Sequence, residues 1–330
     1  MAESNLAQSV QDCKHVRPAR AIPDITQDVK EGLLTSPKTL SPKYFYDDHG
    51  SRLFDAICDT HEYYPTRTED ALLKQYANDI IRTVVPEHLV ELGSGAARKT
   101  RRLLDACETH QCHTVYWPFD VCKEMVVDTA SELQDEYHWL KVNGLVGDYH
   151  GGFDHFPDIH GKTLYAFLGS TIGNFEHSMA VTMLRELASC MSDGDYVLLG
   201  ADRVKDTNVL QAAYNDAEGI TAEFNLNILR VLNKELDADF VLDNFEHHAF
   251  YNEQHQRIEM HLVSNCEQQV SIGALNESVR FGDNETIRTE ISRKFTPSSL
   301  ESLLQEAGLT MVNHFEPENA YFSLVLAQAC

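Results

Sequence analysis

The chain has 330 residues, enough for one large domain or two modest ones, and its 43% hydrophobic and 24% charged content is ordinary for a soluble globular protein. A formal net charge of −24 argues against nucleic acid and anionic membrane surfaces, because phosphate binding needs a basic face that releases counterions. No run approaches about 18 consecutive apolar residues, and Met1-Ala2-Glu3-Ser4-Asn5 lacks the basic and apolar stretches of a signal peptide, so a cytoplasmic protein is expected.

Residues 1–22 read as a loosely attached arm. Ser36-Pro37-Lys38-Thr39-Leu40-Ser41-Pro42 is a proline-punctuated loop, followed by an aromatic-rich segment from Lys43 to Arg67. Thr66 is expected to cap the helix that carries Leu72, Leu73, Tyr76, Ile80 and Ile81 at helical spacing. Strands over 89–92, 115–119, 142–147, 163–168 and 195–200 then alternate with helices over 99–108, 123–137 and 178–191, the rhythm of a doubly wound parallel sheet. Residues 206–236 read as helical, whereas 241–295 alternate as an antiparallel insertion with a turn at Gly282-Asp283-Asn284. Thr296-Pro297 starts a helix that Gly308 ends, and Tyr321 to Ala327 is a last strand. The expectation is an α/β protein: a Rossmann-like sheet domain (68–202 and 295–330) interrupted by a smaller α+β substrate-binding domain (23–67 and 203–294).

The strand Leu89-Val90-Glu91-Leu92 ends in Gly93-Ser94-Gly95 and turns into a helix, the way an open parallel sheet binds a nucleotide-like cofactor. Two further strand ends carry acids, Asp120 and Asp148. A dinucleotide fingerprint needs a third small residue three positions after the second glycine, beneath a pyrophosphate, and that position is Arg98. S-adenosylmethionine (SAM) has no phosphate. Backbone at Gly93 and Gly95 can approach its tail, Asp120 can accept from the ribose hydroxyls, and Asp148 from the adenine amine. The cofactor is therefore read as SAM rather than NAD.

The eight cysteines contain no CxxC pair, and Cys107, Cys112 and Cys122 with His110 and His113 fit no zinc template. Reduced thiols and no metal site are expected.

Phe167-Leu168-Gly169-Ser170-Thr171-Ile172-Gly173-Asn174 leaves the fourth sheet strand at its carboxyl end, where substrates of open sheets bind. Asn174 offers an acceptor and a donor to an amine, although a turn asparagine after glycine explains it equally well. This segment, Glu91 to Gly95, Phe119-Asp120-Val121 and Glu62-Tyr63-Tyr64-Pro65-Thr66-Arg67 resemble the L-histidine Nα-methyltransferases of ergothioneine biosynthesis. So do Tyr214, Gly219 to Asn225, Arg257-Ile258-Glu259-Met260 and Thr289-Glu290-Ile291-Ser292. The resemblance runs from about Thr39 to Leu326 and leaves out the N-terminal arm.

It implies SAM-dependent trimethylation of the histidine α-amine to hercynine by a monomer. The implied cofactor contacts are Gly93, Lys99, Asp120, Asp148 and Tyr149. The implied histidine contacts are Tyr63, Gly169, Asn174, Tyr214, Glu290 and Ser292, with Met260 lining the pocket. Tyr63 and Asn174 are the expected catalytic pair at the amine.

Read from the residues, Glu290 and Ser292 are two apart, so on a strand they share one face and offer a carboxylate and a hydroxyl to a neutral imidazole. Taken alone, the residues favour a solvated strand face for Glu290 and a core position for Met260, and leave interlobe packing open for Tyr63. Two other classes stay open at this point: an NAD-dependent oxidoreductase, which Arg98 opposes, and a SAM-sensing regulator without turnover.

Overall fold

The computed structural model describes residues 13–329, which fall into two compact units. One joins Thr68–Arg203 to the described parts of Met1–Ile22 and Phe295–Cys330; the other joins Pro23–Arg67 to Val204–Lys294.

In the first unit one sheet runs from edge to edge as Lys14–His15, Leu145–Val146, Val115–Asp120, His88–Leu92, Thr163–Phe167, Tyr196–Asp202, Phe322–Ala329 and Leu309–Phe315. Neighbours are parallel up to Tyr196–Asp202, and Phe322–Ala329 is antiparallel to both strands beside it. Parallel strands covered on both faces must be apolar throughout, and Thr163–Phe167 is buried at every position. Successive residues feed opposite faces: Val90, Tyr165 and Val197 enter one core, Leu89, Leu164 and Leu198 the other. Chain order reverses around His88–Leu92, with Val115–Asp120 on one side and Thr163–Phe167 on the other. The carboxyl ends of those strands therefore flank the crevice where open sheets take ligands.

Several expectations change here. The strand expected over 142–147 is two short pieces, Lys141–Val142 and Leu145–Val146, paired with opposite ends of Val115–Asp120. Leu309–Phe315, not foreseen as a strand, forms an edge hairpin with Phe322–Ala329 whose register slips between Met311 and Asn313. From Cys13 on, the arm is not loose: Lys14–His15 pairs in parallel with Leu145–Val146, and Val16 is buried. Its earlier residues lie outside the described part. The Pro297–Glu306 helix opens with a capping box in which Thr296 and Ser299 satisfy each other's backbone N–H groups.

The second unit holds a four-stranded sheet in the order Lys38–Thr39, Thr286–Arg293, Arg257–Ser264, Phe245–Asn252, and a separate hairpin of Gln268–Ile272 with Glu277–Phe281. The helix Ile220–Leu236 buries Phe224, Ile228, Leu229 and Leu232. The single helical stretch expected over 206–236 is two helices, Thr207–Ala212 and Ile220–Leu236. The break is built by Asp216, whose carboxylate accepts from the N–H groups of Ile220 (2.8 Å) and Thr221 (2.7 Å), and by Gly219 in the left-handed region at φ 75°. Thr66 is no cap: its helix opens at Tyr64 with Pro65 in the first turn, and Thr66 Oγ1 donates to Cys58 Sγ at 3.3 Å.

Candidate functional site

The carboxyl edge of the large sheet is organised by backbone. Gly93 and Gly95 adopt φ 69° and 48°, which admits the sharp turn that an L side chain resists. A Cβ built on Gly95 would meet nothing within 4 Å, so the space over the turn is open, while one on Gly93 would lie 3.8 Å from the Tyr149 ring. Asp120, at the end of the next strand, accepts from Gly95 N–H through Oδ2 (3.0 Å) and from Cys122 N–H through Oδ1 (3.1 Å). Each oxygen keeps acceptor capacity for a further donor. Asp148 Oδ1 accepts from the backbone N–H of His150 (2.8 Å) and lies 2.7 Å from His150 Nδ1. Tyr149 packs edge-on to Phe167 and tilted against Phe175, and burial raises its phenol pKa.

Lys99 ion-pairs with Glu69, a residue the sequence reading passed over. The Glu69 side chain is fully buried, and both of its oxygens lie 2.9 Å from the N–H of Gly169. One carboxylate thus ties the expected cofactor lysine to the start of the Gly169–Asn174 segment. The fit is tight from below, since a Cβ on Gly200 would fall 1.9 Å from Glu69 Oε1. A glycine inside the apolar run Val197-Leu198-Leu199-Gly200-Ala201 was the available signal. Next to this pair, Glu91 accepts from the Tyr116 hydroxyl, and its carboxyl is pushed up to about 7 by desolvation, against the pull of Lys99. Asn174 closes the short helical turn Thr171–Asn174, is half-buried, and its side-chain amide makes no hydrogen bond to a described residue.

The second unit contains a cavity walled by Phe54, Tyr63, Tyr214, Phe224, Met260 and Glu290, with Ile57, Ala213 and Thr221 completing it. Four of the expected histidine contacts thereby meet in one place. The aromatic walls brace one another: the Tyr63 ring stands edge-on to Tyr214 (6.1 Å between centroids) and to Phe54 (6.3 Å). Met260 and Glu290 are direct cross-strand partners, so the register sets a buried thioether beside the carboxyl. No described residue donates a hydrogen bond to Glu290. Burial pushes its carboxyl up to about 7, with Lys294 pulling the other way.

Ser292 is placed differently from expectation. It is not among the residues walling the cavity; its hydroxyl accepts from Tyr214 Oη at 2.8 Å and from Lys294 Nζ at 2.9 Å. Lys294, 2% exposed, also donates to Tyr214 Oη at 3.0 Å. The sequence reading missed this lysine, although it continues the two-residue spacing of Glu290 and Ser292. With Tyr214 and Lys294 both donating to it, Ser292 Oγ has its own proton left to give.

Among the described residues no group of three or more His, Cys, Asp or Glu is placed to hold a metal, all seven cysteines are free, and no helix is long and apolar enough to cross a membrane.

The family of SAM-dependent, histidine-specific methyltransferases matches this chain over residues 25–329. The chain is 42% identical to the histidine N-alpha-methyltransferase of Mycolicibacterium smegmatis over 303 residues, 92% of this chain and 94% of that one. Against the protein of the same name from Mycobacterium tuberculosis it is 42% identical over 305 residues, again 92% and 94%. The ergothioneine biosynthesis protein 1 of Neurospora crassa is 30% identical over 301 residues, 89% of this chain and 33% of that one. A glycine turn open to a ligand and a polar-bottomed aromatic cavity now have a common owner: this chain belongs to the SAM-dependent histidine-specific methyltransferases.

Proposed function

We propose that this protein methylates the α-amine of L-histidine three times with SAM, giving hercynine on the way to ergothioneine. The observation that carries the reading is Glu290, a carboxyl without a donor among the described residues, set in an aromatic cavity beside Met260. Leaving such a group desolvated and unpaired costs stability, which is retained where a ligand supplies the donor. A neutral imidazole supplies one N–H for Glu290 and one bare nitrogen, which the spare proton of Ser292 suits, through a water since the residue is not among those walling the cavity.

The carboxyl edge fits SAM on its own features. The turn is open over Gly95, Ser94 Oγ is buried without a partner among the described residues, and both Asp120 oxygens can take ribose hydroxyls. Gly93 and Lys99 would meet the amino-acid tail, and Asp148 and Tyr149 the adenine. Bound there, the sulfonium supplies an electrophilic methyl, so positioning is the protein's main task. We assign the amine to Asn174 and Tyr63, with Gly169 fixing the segment that carries Asn174. Each transfer releases one amine proton, which water can take; no dedicated base is assigned. The enzyme is read as a cytoplasmic monomer that needs neither nucleic acid nor membrane.

Incubation with SAM and a mixture of all amino acids, followed by mass spectrometry, tests the reading. Three methyl groups on histidine are expected. Histidine left unmodified while another amino acid gains methyls would overturn it.

A further inference from the structure

The segment preceding the family match, residues 13–22, is built against the strand end that carries Asp148. Its contact is continuous. The N–H groups of Lys14 and Val16 donate to the carbonyls of Gly144 and Val146 (2.9 Å each), and those of Ala19 and Arg20 to the carbonyl of Gly151 (2.8 and 3.2 Å). Arg20 Nε donates to the carbonyl of His150 at 2.6 Å, and its two terminal nitrogens reach Glu186 at 2.5 and 3.2 Å.

The opposing segment is shaped to receive it. A Cβ on Gly144 would lie 2.7 Å from Cys13 Sγ, one on Gly147 3.0 Å from the Val16 carbonyl, and one on Gly151 2.7 Å from Pro18 Cβ. At Gly144 and Gly147 a Cβ would also meet Val126 (2.7 Å) and Phe119 (2.8 Å), whereas at Gly151 the three nearest atoms all belong to the segment, Pro18 and Ile22. The short turn Tyr149–Gly151 is gripped from two sides: outward, its His150 and Gly151 carbonyls are taken by Arg20 and Ala19; inward, the His150 N–H and ring hold Asp148 Oδ1.

We propose that residues 13–22 are a strap that orients Asp148 and Tyr149, with Arg20 as a positioning residue for cofactor binding. This rests on the reading of Asp148 and Tyr149 as the adenine site. A strap that only covered the sheet edge would support folding and leave cofactor affinity alone. If it fixes the turn, its loss is read in the dissociation constants of SAM and S-adenosylhomocysteine and not in that of histidine.

The test is calorimetry on the full chain with Arg20→Ala, Arg20→Lys, Glu186→Ala and Asp148→Asn. Arg20→Ala is expected to weaken both nucleoside ligands about fivefold, the loss of one partly exposed charged hydrogen-bond group. Arg20→Lys keeps the charge facing Glu186 but loses the Nε donor to His150, and so should follow Arg20→Ala. Adding Glu186→Ala to Arg20→Ala should cost less than the two changes separately, because the pair acts as a unit. Unchanged cofactor affinity in both Arg20 variants overturns the strap. If Asp148→Asn still weakens binding in that event, the adenine reading survives alone; if it does not, that reading falls as well.

Discussion

In the function proposed above, the carboxyl edge of the first unit and the cavity of the second would solve the same problem, holding a small polar ligand, in opposite ways. At the edge the acids are already held by their own chain, with acceptor capacity to spare: Asp120 by Gly95 and Cys122, Asp148 by His150, Glu69 by Gly169 and Lys99. Their geometry is fixed before any ligand arrives, which suits a cofactor common to many reactions. In the cavity the acid is left without a donor among the described residues: Glu290 stands among tyrosines, phenylalanines and a methionine, and its carboxyl is pushed up to about 7. A site fixed in advance supplies affinity, whereas an unsatisfied one supplies discrimination, because a ligand without the matching donor leaves the burial penalty in place.

The contrast breaks hardest at Glu290. Glu290→Ala should weaken histidine by about 100-fold, from the lost charged hydrogen bond, and leave SAM affinity intact. It should also raise the melting temperature of the ligand-free protein, since an unpaired desolvated carboxyl is removed. Combined with Met260→Val, which enlarges the apolar wall beside it, the variant should prefer tryptophan to histidine in a competition assay. Full histidine affinity in Glu290→Ala would place ring recognition elsewhere.

The next effect lies at the edge. Asp120→Ala should raise the dissociation constant of SAM about 30-fold by calorimetry while histidine binding is kept, since each lost charge-assisted bond costs roughly 1.5–3 kcal/mol. Unchanged SAM affinity would remove Asp120 from the site. Glu69→Gln is expected to be milder, because the amide still accepts from Gly169 but no longer neutralises Lys99. We expect KM for SAM to rise about tenfold with little change in kcat, and Glu69→Asp to recover part of it. Parent-like KM in the Gln variant would reduce Glu69 to a core acid.

How legible each region was follows from how local its chemistry is. The edge could be read because strand, glycine turn and terminal acid are contiguous in sequence, as in Leu89 to Gly95 and Trp117 to Asp120. Glu69 could not, because its partners lie 30 and about 100 residues away, and only Gly200 hinted at something large beneath the strand. The cavity came mainly from the family resemblance; the residues alone favoured a solvated face for Glu290 over a pocket. Lys294 belonged to the same strand periodicity and was passed over because a buried lysine is rare. The strap and the Leu309–Phe315 edge strand carry no sustained apolar alternation, since an edge strand needs partners on only one side.

The smallest effect separates the two regions by pH. Glu91 and Glu290 are both pushed from 4.5 to about 7 by burial, but Glu91 is bonded to Tyr116 and Glu290 has no such donor among the described residues. For a carboxyl raised in the folded state, the folded protein binds the extra proton between the unfolded and folded values. The stability it contributes is therefore present below about pH 4.5 and is lost as pH rises through about 7. Glu290→Gln stays neutral throughout, so its melting temperature relative to the parent should climb between pH 5 and pH 8, by about 3 °C for a chain of this size. The Glu91 contribution is common to both proteins and cancels, as do those of the buried histidines. Saturating histidine should shrink the difference, because an imidazole N–H favours the ionised carboxylate and lowers its pKa. A difference that is flat from pH 5 to pH 8 would mean that Glu290 is hydrated like a surface acid, and the contrast between an edge fixed by its own chain and an unsatisfied cavity would fail at its central residue.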